Sequence, residues 1–285
     1  MKTILISGIN GFLGSHLAET LSLEYNIIGL EYSLDNLFRI DKYNYKVYSA
    51  KNGIPESIFT EQTIDIVVHT ATFYGRNNED LIQLFNSNLY SPFNLLDRTI
   101  YHGCQLFVNT DTVLDRFVSP YALTKQQFQE WLYLRKNEIK VINMQLEHFY
   151  GPGASPTNFI TSMINKLNNN EPQIDLTAGD QERDFVYIDD VVNAYLTVVD
   201  KLEFIGEPYS SFQVCTNQMI SIKKLMFLLK DLTESNSILN FGAIPYRENE
   251  LMYPKTDNTS LCALGWNPNF STKEGLEQTL CNTHN

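Results

Sequence analysis

A chain of 285 residues, 43% hydrophobic and 19% charged, can bury a sizeable core as one large domain or one domain with an appended lobe. The formal net charge of -12 argues against nucleic-acid backbones and anionic membranes, so an anionic ligand must meet a few placed Arg and Lys residues or helix N-termini. No run approaches the ~18 apolar residues of a membrane span, the start lacks a signal-peptide core, and Cys104, Cys215, Cys262 and Cys281 are scattered, so a cytoplasmic protein without disulfides or zinc is expected.

Thr3 to Ser7 is short, apolar and partly β-branched, the pattern of a buried parallel strand, and it runs into Gly8-Ile9-Asn10-Gly11-Phe12-Leu13-Gly14. A helix is predicted from Ser15 to about Ser22. Strand, glycine turn and helix in this order are the setting of a dinucleotide-binding fingerprint. Gly8 would turn the chain, Gly11 would admit a pyrophosphate, and Gly14 would allow close helix packing. The spacing is G-x-x-G-x-x-G, and a plain tight turn is the competing explanation.

The second strand, Asn26 to Leu30, ends at Glu31, where a carboxylate bonds adenosine ribose hydroxyls and favours NAD(H) by repelling a 2′-phosphate. Ser33, Arg39 and Lys42 follow and suit NADP(H), so both cofactors stay open on the residues alone. Pro55 opens a short helix. Asp65 to His69 is a further buried strand in which His69 is expected as a packed imidazole, and Thr70-Ala71-Thr72 offer small residues past which a cofactor can run, with Ala71 as the candidate contact. Asn86 to Arg98 reads as helix despite Pro92, and Gln105 to Asn109 as strand, with Thr110 at the carboxyl edge where ligands of open α/β sheets bind.

Ser119 can cap a helix that Pro120 opens, which sets Tyr121 and Lys125 at i and i+4 on one face. A cation ~5 Å from a phenol at an effective dielectric of ~20 favours the phenolate by about 3 kcal/mol, roughly two pKa units below the ordinary value near ~10. The Thr110 hydroxyl can bond a substrate oxygen, and with Tyr121 and Lys125 it forms a constellation that one pocket can hold. Val141 to Leu146 is the next strand, leaving through a turn at Glu147 to Gly153. Strands and helices alternate to this point, which predicts a doubly wound parallel sheet of the dinucleotide-binding type. Beyond it come helices at 158–168, 188–201, 221–232 and 273–280, with strands at 183–187 and 211–214. The expected division is a cofactor domain of residues 1–153 with parts of 180–220, and a smaller, interleaved substrate lobe within 154–285.

GINGFLG, DIVVHTAT, NSNLYSPFNLL, YALTK, FYGPG, RDFVYIDDVV, PYRENE and LGWNPNFS, in this order, resemble the extended short-chain dehydrogenase/reductase family in its nucleotide-sugar branch. FVNTDTVLDRFVSPYALTK and LEHFYGPGASPTNFI are most similar to its members that reduce a CDP-linked 4-keto-3,6-dideoxyhexose with NADPH. The resemblance implies Tyr121 as proton donor, Lys125 as its activator and the binder of the nicotinamide ribose, and Thr110 as carbonyl partner. It implies Arg183 and Arg247 on the diphosphate of the sugar nucleotide, a role that suits guanidinium, and Asn158 as a diphosphate or sugar contact. It favours NADP(H), and it allows a homodimer.

Two departures bear on the reaction. Sugar-nucleotide 4,6-dehydratases carry Asp-Glu after the active-site threonine; here Asp111-Thr112 follow, which disfavours dehydration. Where the family has Arg and Asn near FYGPG, this chain has Gln145 and His148, so His148 is a candidate contact to nicotinamide or substrate, with a structural imidazole as the alternative. The competing functions are a 4-epimerase with tightly held NAD, which Glu31 supports, and a dinucleotide-binding regulator without turnover, which intact Tyr121 and Lys125 disfavour. An ion pair to Asp184 or Asp189 is the alternative for Arg183.

Overall fold

The computed structural model describes residues 1–75, 80–247 and 250–282, so Glu248 and Asn249 of the PYRENE motif lie outside the described residues. The chain divides into two compact units, Met1–Leu146 with Tyr195–Phe212, and Glu147–Ala194 with Gln213–Asn285.

The first unit begins β1 (Thr3–Ser7), α1 (Phe12–Leu21), β2 (Asn26–Glu31), β3 (Lys46–Ser49), α2 (Ser57–Thr60) and β4 (Ile66–His69). It continues with α3 (Leu81–Phe85), a π-helical turn (Asn86–Tyr90), α4 (Ser91–Tyr101), β5 (Leu106–Thr112), α5 (Pro120–Leu134) and β6 (Lys140–Leu146). Strands β3, β2, β1, β4, β5 and β6 lie side by side in that order, and all five pairings are parallel. The reversal of order between β1 and β4 opens a crevice at the carboxyl ends of the strands, the usual ligand site of such sheets. Leu5, Val67, Phe107 and Val141 line one face of the sheet and pack with Leu95 and Leu96 of α4 and Phe128 and Leu132 of α5.

Three elements differ from their sequence expectations. Helix α1 opens at Phe12, ahead of Ser15, because extended Gly11 already serves as its N-cap. The helix around Pro92 is not continuous α-helix. Proline has no N–H and clashes with the carbonyl four residues back, and the wider π turn at Asn86–Tyr90 absorbs both effects. Strand β5 runs on to Thr112, so Thr110 lies within the strand and keeps a ladder partner, Met144.

The second unit holds β7 (His148–Tyr150), α6 (Phe159–Asn168), β8 (Gln173–Leu176) and β9 (Glu182–Tyr187), after which α7 (Ile188–Asp200) carries the chain back to the first unit. Strand β10 (Tyr209–Val214) joins the large sheet beside β6, and the second unit closes with β11 (Met219–Ser221), α8 (Ile222–Leu232), β12 (Ile238–Phe241), α9 (Thr259–Ala263) and α10 (Thr272–Asn282). The expected turn after β6 contains β7, which pairs with β9 in a small sheet and so forms a strand too short to show a period in the sequence. Buried carboxylates brace this unit. Asp184 accepts bonds from the Thr216 backbone and hydroxyl and from the Asn217 N–H, and Asp190 accepts from the Asn269 and Phe270 N–H groups while its carbonyl takes the Trp266 indole. Among the described residues no helix is long and apolar enough to cross a membrane.

Candidate active site

The glycine turn is built around backbone-to-backbone contact. A Cβ on Gly14 would stand 2.0 Å from the Gly8 carbonyl oxygen, and one on Gly8, whose φ is +81°, would stand 2.7 Å from the Ala71 nitrogen. Neither position tolerates a side chain. The Gly11 N–H closes the turn onto the Gly8 carbonyl at 2.9 Å. The start of α1 is therefore a helix N-terminus whose turn carries no side chain at Gly8, Gly11 or Gly14, and its field suits an anion such as a diphosphate. Leu13 is buried, so it offers the site only backbone, and the Ala71 N–H is held by the Ser7 carbonyl at 2.9 Å.

Asn10 is a structural clamp. Its side chain donates to the Asn36 carbonyl at 3.0 Å and accepts from the Arg39 N–H at 3.0 Å, and its own N–H donates to Glu31 Oε1 at 2.5 Å. Burial raises the Glu31 carboxyl above its ordinary range, opposed by that bond and by the charge of Arg39. Arg39 also reaches the Asn10 carbonyl, so it stands at the glycine turn, whereas Ser33 bonds Asp35 and Lys42 pairs with Glu19.

Helix α5 starts as the residue types require, with the Ser119 hydroxyl accepting the Ala122 N–H at 3.1 Å and Pro120 in the first turn. Its fifteen residues bring half-buried Tyr121 and buried Lys125 to one face. The Lys125 ammonium donates to the Thr110 carbonyl at 2.5 Å, which ties helix α5 to strand β5 at two of the three expected residues. Burial pulls the Lys125 pKa down and the Asp111 charge pushes it back up. Asp111 is itself raised by burial and steadied by Lys125, by Asn143 Nδ2 at 2.9 Å and by the Thr112 N–H at 2.8 Å. The Thr110 hydroxyl meets a group the sequence did not single out, the Tyr195 hydroxyl, at 2.6 Å.

A polar row lies beneath this cluster. Ser7, His69, Asn109 and Asn143 are register partners across β1, β4, β5 and β6, and all are buried. Ser7 Oγ lies 3.1 Å from His69 Nδ1, and Asn109 donates to Asn143 at 2.7 Å. Burial, and then the Lys125 charge, push the His69 imidazole down from 6.5 to about 3, so it is neutral in the fold. A depressed pKa means the unfolded chain takes up the proton first. His69 therefore contributes stability above pH 6.5 that is lost progressively as pH falls toward about 3. Between pH 7 and pH 5 urea unfolding should lose about 2 kcal/mol through this residue, and His69→Gln should shrink the wild-type loss by that amount. An equal loss in both proteins would exclude His69 as its source.

The second unit holds the other expected residues. Arg183 pairs with Glu250 and donates to the Leu251 carbonyl at 2.6 Å, so neither Asp184 nor Asp189 is the carboxylate it pairs with. Arg247 is exposed. Asn158 caps α6 by accepting the Ile160 N–H at 3.1 Å and donates to the Phe149 carbonyl at 3.0 Å. His148 is exposed, with Nδ1 3.5 Å from the Glu147 carboxylate and its ring edge-on to Phe185.

Three residues that touch Thr110, Tyr121 or Thr124 escaped the sequence reading. Tyr195 sits in a helix pattern that explained its burial without its hydroxyl. Tyr74 packs on the Tyr121 ring at 5.0 Å between centroids, across a loop with no periodicity. Asn88, in the π turn, accepts the Phe73 N–H and donates to the Phe73 carbonyl, both at 2.8 Å, and reaches Thr124 one turn along α5. A buried asparagine within an amphipathic helix was the available signal for the last.

Residues 4–214 match the model of the NAD dependent epimerase/dehydratase family. The chain is 33% identical to a CDP-abequose synthase of Salmonella typhimurium, with 97% of each chain covered. It is 28% identical to a dTDP-D-glucose 4,6-dehydratase of Mus musculus, covering 98% of this chain and 88% of the relative. In fold it is similar to a UDP-glucose 4-epimerase of Thermotoga maritima solved with UDP-glucose, with a TM-score of 0.88, 23% identity and coverage of 99% and 98%. A UDP-glucose 4-epimerase of Thermus thermophilus in complex with NAD superposes with a TM-score of 0.85 at 21% identity, covering 99% of both chains.

Proposed function

We propose that this chain, which belongs to the NAD dependent epimerase/dehydratase family, reduces the 4-keto group of CDP-4-keto-3,6-dideoxyglucose with NADPH. The product would be CDP-abequose or its C4 epimer CDP-paratose, sugar donors for a lipopolysaccharide O-antigen. That it is an NAD(P)-dependent enzyme follows from its family; the sugar and the direction of the reaction are our reading. The observation that carries it is the end-to-end similarity to a CDP-abequose synthase, over 97% of both chains. The residues agree with that chemistry, because Thr112 stands where elimination of water needs a carboxylate.

The turn at Gly8, Gly11 and Gly14 would hold the dinucleotide's diphosphate, with Arg39 and Glu31 at its adenosine end, and the bound nicotinamide supplies hydride. Tyr121 gives its phenolic proton to sugar O4. Lys125 makes that transfer easier by stabilising the phenolate left behind. Thr110 supports the same oxygen with its hydroxyl while negative charge builds there. Arg247 and Arg183 suit the sugar nucleotide's diphosphate, Arg183 by exchanging Glu250 for phosphate oxygens. Asn158 and His148 stand as further substrate and cofactor contacts, Asn158 through whatever bonding its capping role leaves.

The test is incubation of the protein with CDP-4-keto-3,6-dideoxyglucose and NADPH, followed by NMR of the product. One NADPH should be oxidised per sugar reduced, and Arg39→Ala should raise KM for NADPH about tenfold while sparing NADH. Interconversion of C4 epimers without net NADPH oxidation would replace this reading with 4-epimerisation on retained NAD, the alternative that Glu31 at the end of β2 supports.

A further inference from the structure

We propose that Tyr195 is a positioning residue that fixes the Thr110 hydroxyl as a hydrogen-bond donor toward the substrate oxygen, an inference that rests on the reading of Thr110 as the carbonyl partner. The hydroxyls of Tyr195 and Thr110 lie 2.6 Å apart, and by distance alone either could donate. Burial decides between them. Tyr195 is fully buried in α7, and among the described residues Thr110 is the partner its hydroxyl has, so a Tyr195 proton turned elsewhere would be an unmade bond in the core. Thr110 is only half-buried, two residues from the end of β5, so it is the less enclosed of the two. Tyr195 therefore donates and Thr110 accepts.

Two consequences follow for Thr110. Its own proton is excluded from the Tyr195 direction and is left for a ligand oxygen. Accepting a bond also polarises a hydroxyl and strengthens the bond it donates. Lys125 holds the same residue by its carbonyl at 2.5 Å, so side chain and backbone of Thr110 are both fixed before substrate arrives. Burial, reinforced by the Asp111 charge, raises the Tyr195 pKa, so the phenol stays protonated and able to donate throughout the working pH range. Tyr195 touches no reacting atom in this scheme and acts only through Thr110.

A double-mutant cycle separates this from a packing role. Tyr195→Phe, Thr110→Ala, the pair, and Thr110→Ser with and without Tyr195→Phe are assayed on whichever nucleotide sugar the wild type turns over, with thermal melts as the check of folding. Tyr195→Phe should lower kcat about fivefold to tenfold with KM for cofactor and sugar unchanged, and Thr110→Ala about 100-fold. The Tyr195→Phe/Thr110→Ala pair should be no slower than Thr110→Ala alone, and Thr110→Ser should restore sensitivity to Tyr195→Phe. A wild-type kcat in Tyr195→Phe beside an impaired Thr110→Ala overturns the Tyr195 role by itself. A pair that falls by the product of the single effects overturns it in favour of packing. A wild-type rate in Thr110→Ala overturns the reading of Thr110, and the role of Tyr195 with it.

Discussion

Replacement of Tyr121 by Phe is expected to lower kcat on the order of 1,000-fold while leaving cofactor affinity within about twofold of wild type. The phenylalanine keeps the ring that packs against Tyr74 and keeps the helix face, so only the hydroxyl is lost. A placed general acid contributes roughly 100-fold to 10,000-fold, and the solvent that replaces it is neither oriented nor activated by Lys125. Single-turnover oxidation of NADPH gives the rate, and fluorescence titration with NADPH gives the affinity. A fall below tenfold would remove Tyr121 as the acid, and a comparable loss of affinity would make it a binding residue.

The second large effect lies at Lys125, where charge is tied to the fold as well as to the reaction. Lys125→Met should slow turnover about 100-fold, the two pKa units by which a nearby cation favours the phenolate. It should also destabilise the protein by on the order of 3–5 kcal/mol, because Asp111 would stay buried without its countercharge. Adding Asp111→Asn to that variant should recover most of the stability and none of the rate, a split that urea unfolding and steady-state kinetics read separately. Asp111→Asn by itself removes the charge that opposes burial at Lys125, so the ammonium should lose its proton at lower pH and the alkaline limb of the pH–rate profile should move acidward. A double variant as unstable as Lys125→Met would show that the two groups are not counter-ions. An unmoved alkaline limb would show that Lys125 does not govern it.

The same pair bears on the acidic residue after Thr110. Both Asp111 oxygens are engaged, one by Asn143 and one by the Thr112 N–H, and the side chain is buried. Elimination of water needs a carboxyl group that meets the sugar, and this one is buried with its oxygens already bonded within the fold. The reductive reading and the packing therefore agree at Asp111 and at Thr112, where a second carboxylate is absent.

Local chemistry made much of the first unit legible in the sequence. Glycines that no Cβ can replace, a Ser-Pro helix start, apolar strands bounded by turns and a Tyr-Lys pair at helical spacing each follow from sterics or hydrogen bonding within a few residues. The order of these signals along the chain, strand then turn then helix, was enough for a doubly wound parallel sheet. Sequence reasoning also singled out Thr110 from the end of a predicted strand and Tyr121 and Lys125 from one helix face, and the fold ties Lys125 to the Thr110 carbonyl. Tertiary structure alone decided which groups meet across many residues. It set Tyr195 on Thr110, Asp111 opposite Lys125, Arg39 on the glycine turn, Glu250 on Arg183, and the row from Ser7 to Asn143 under the site. Strand order and helix packing fix such contacts, and neither leaves a periodic mark on the sequence.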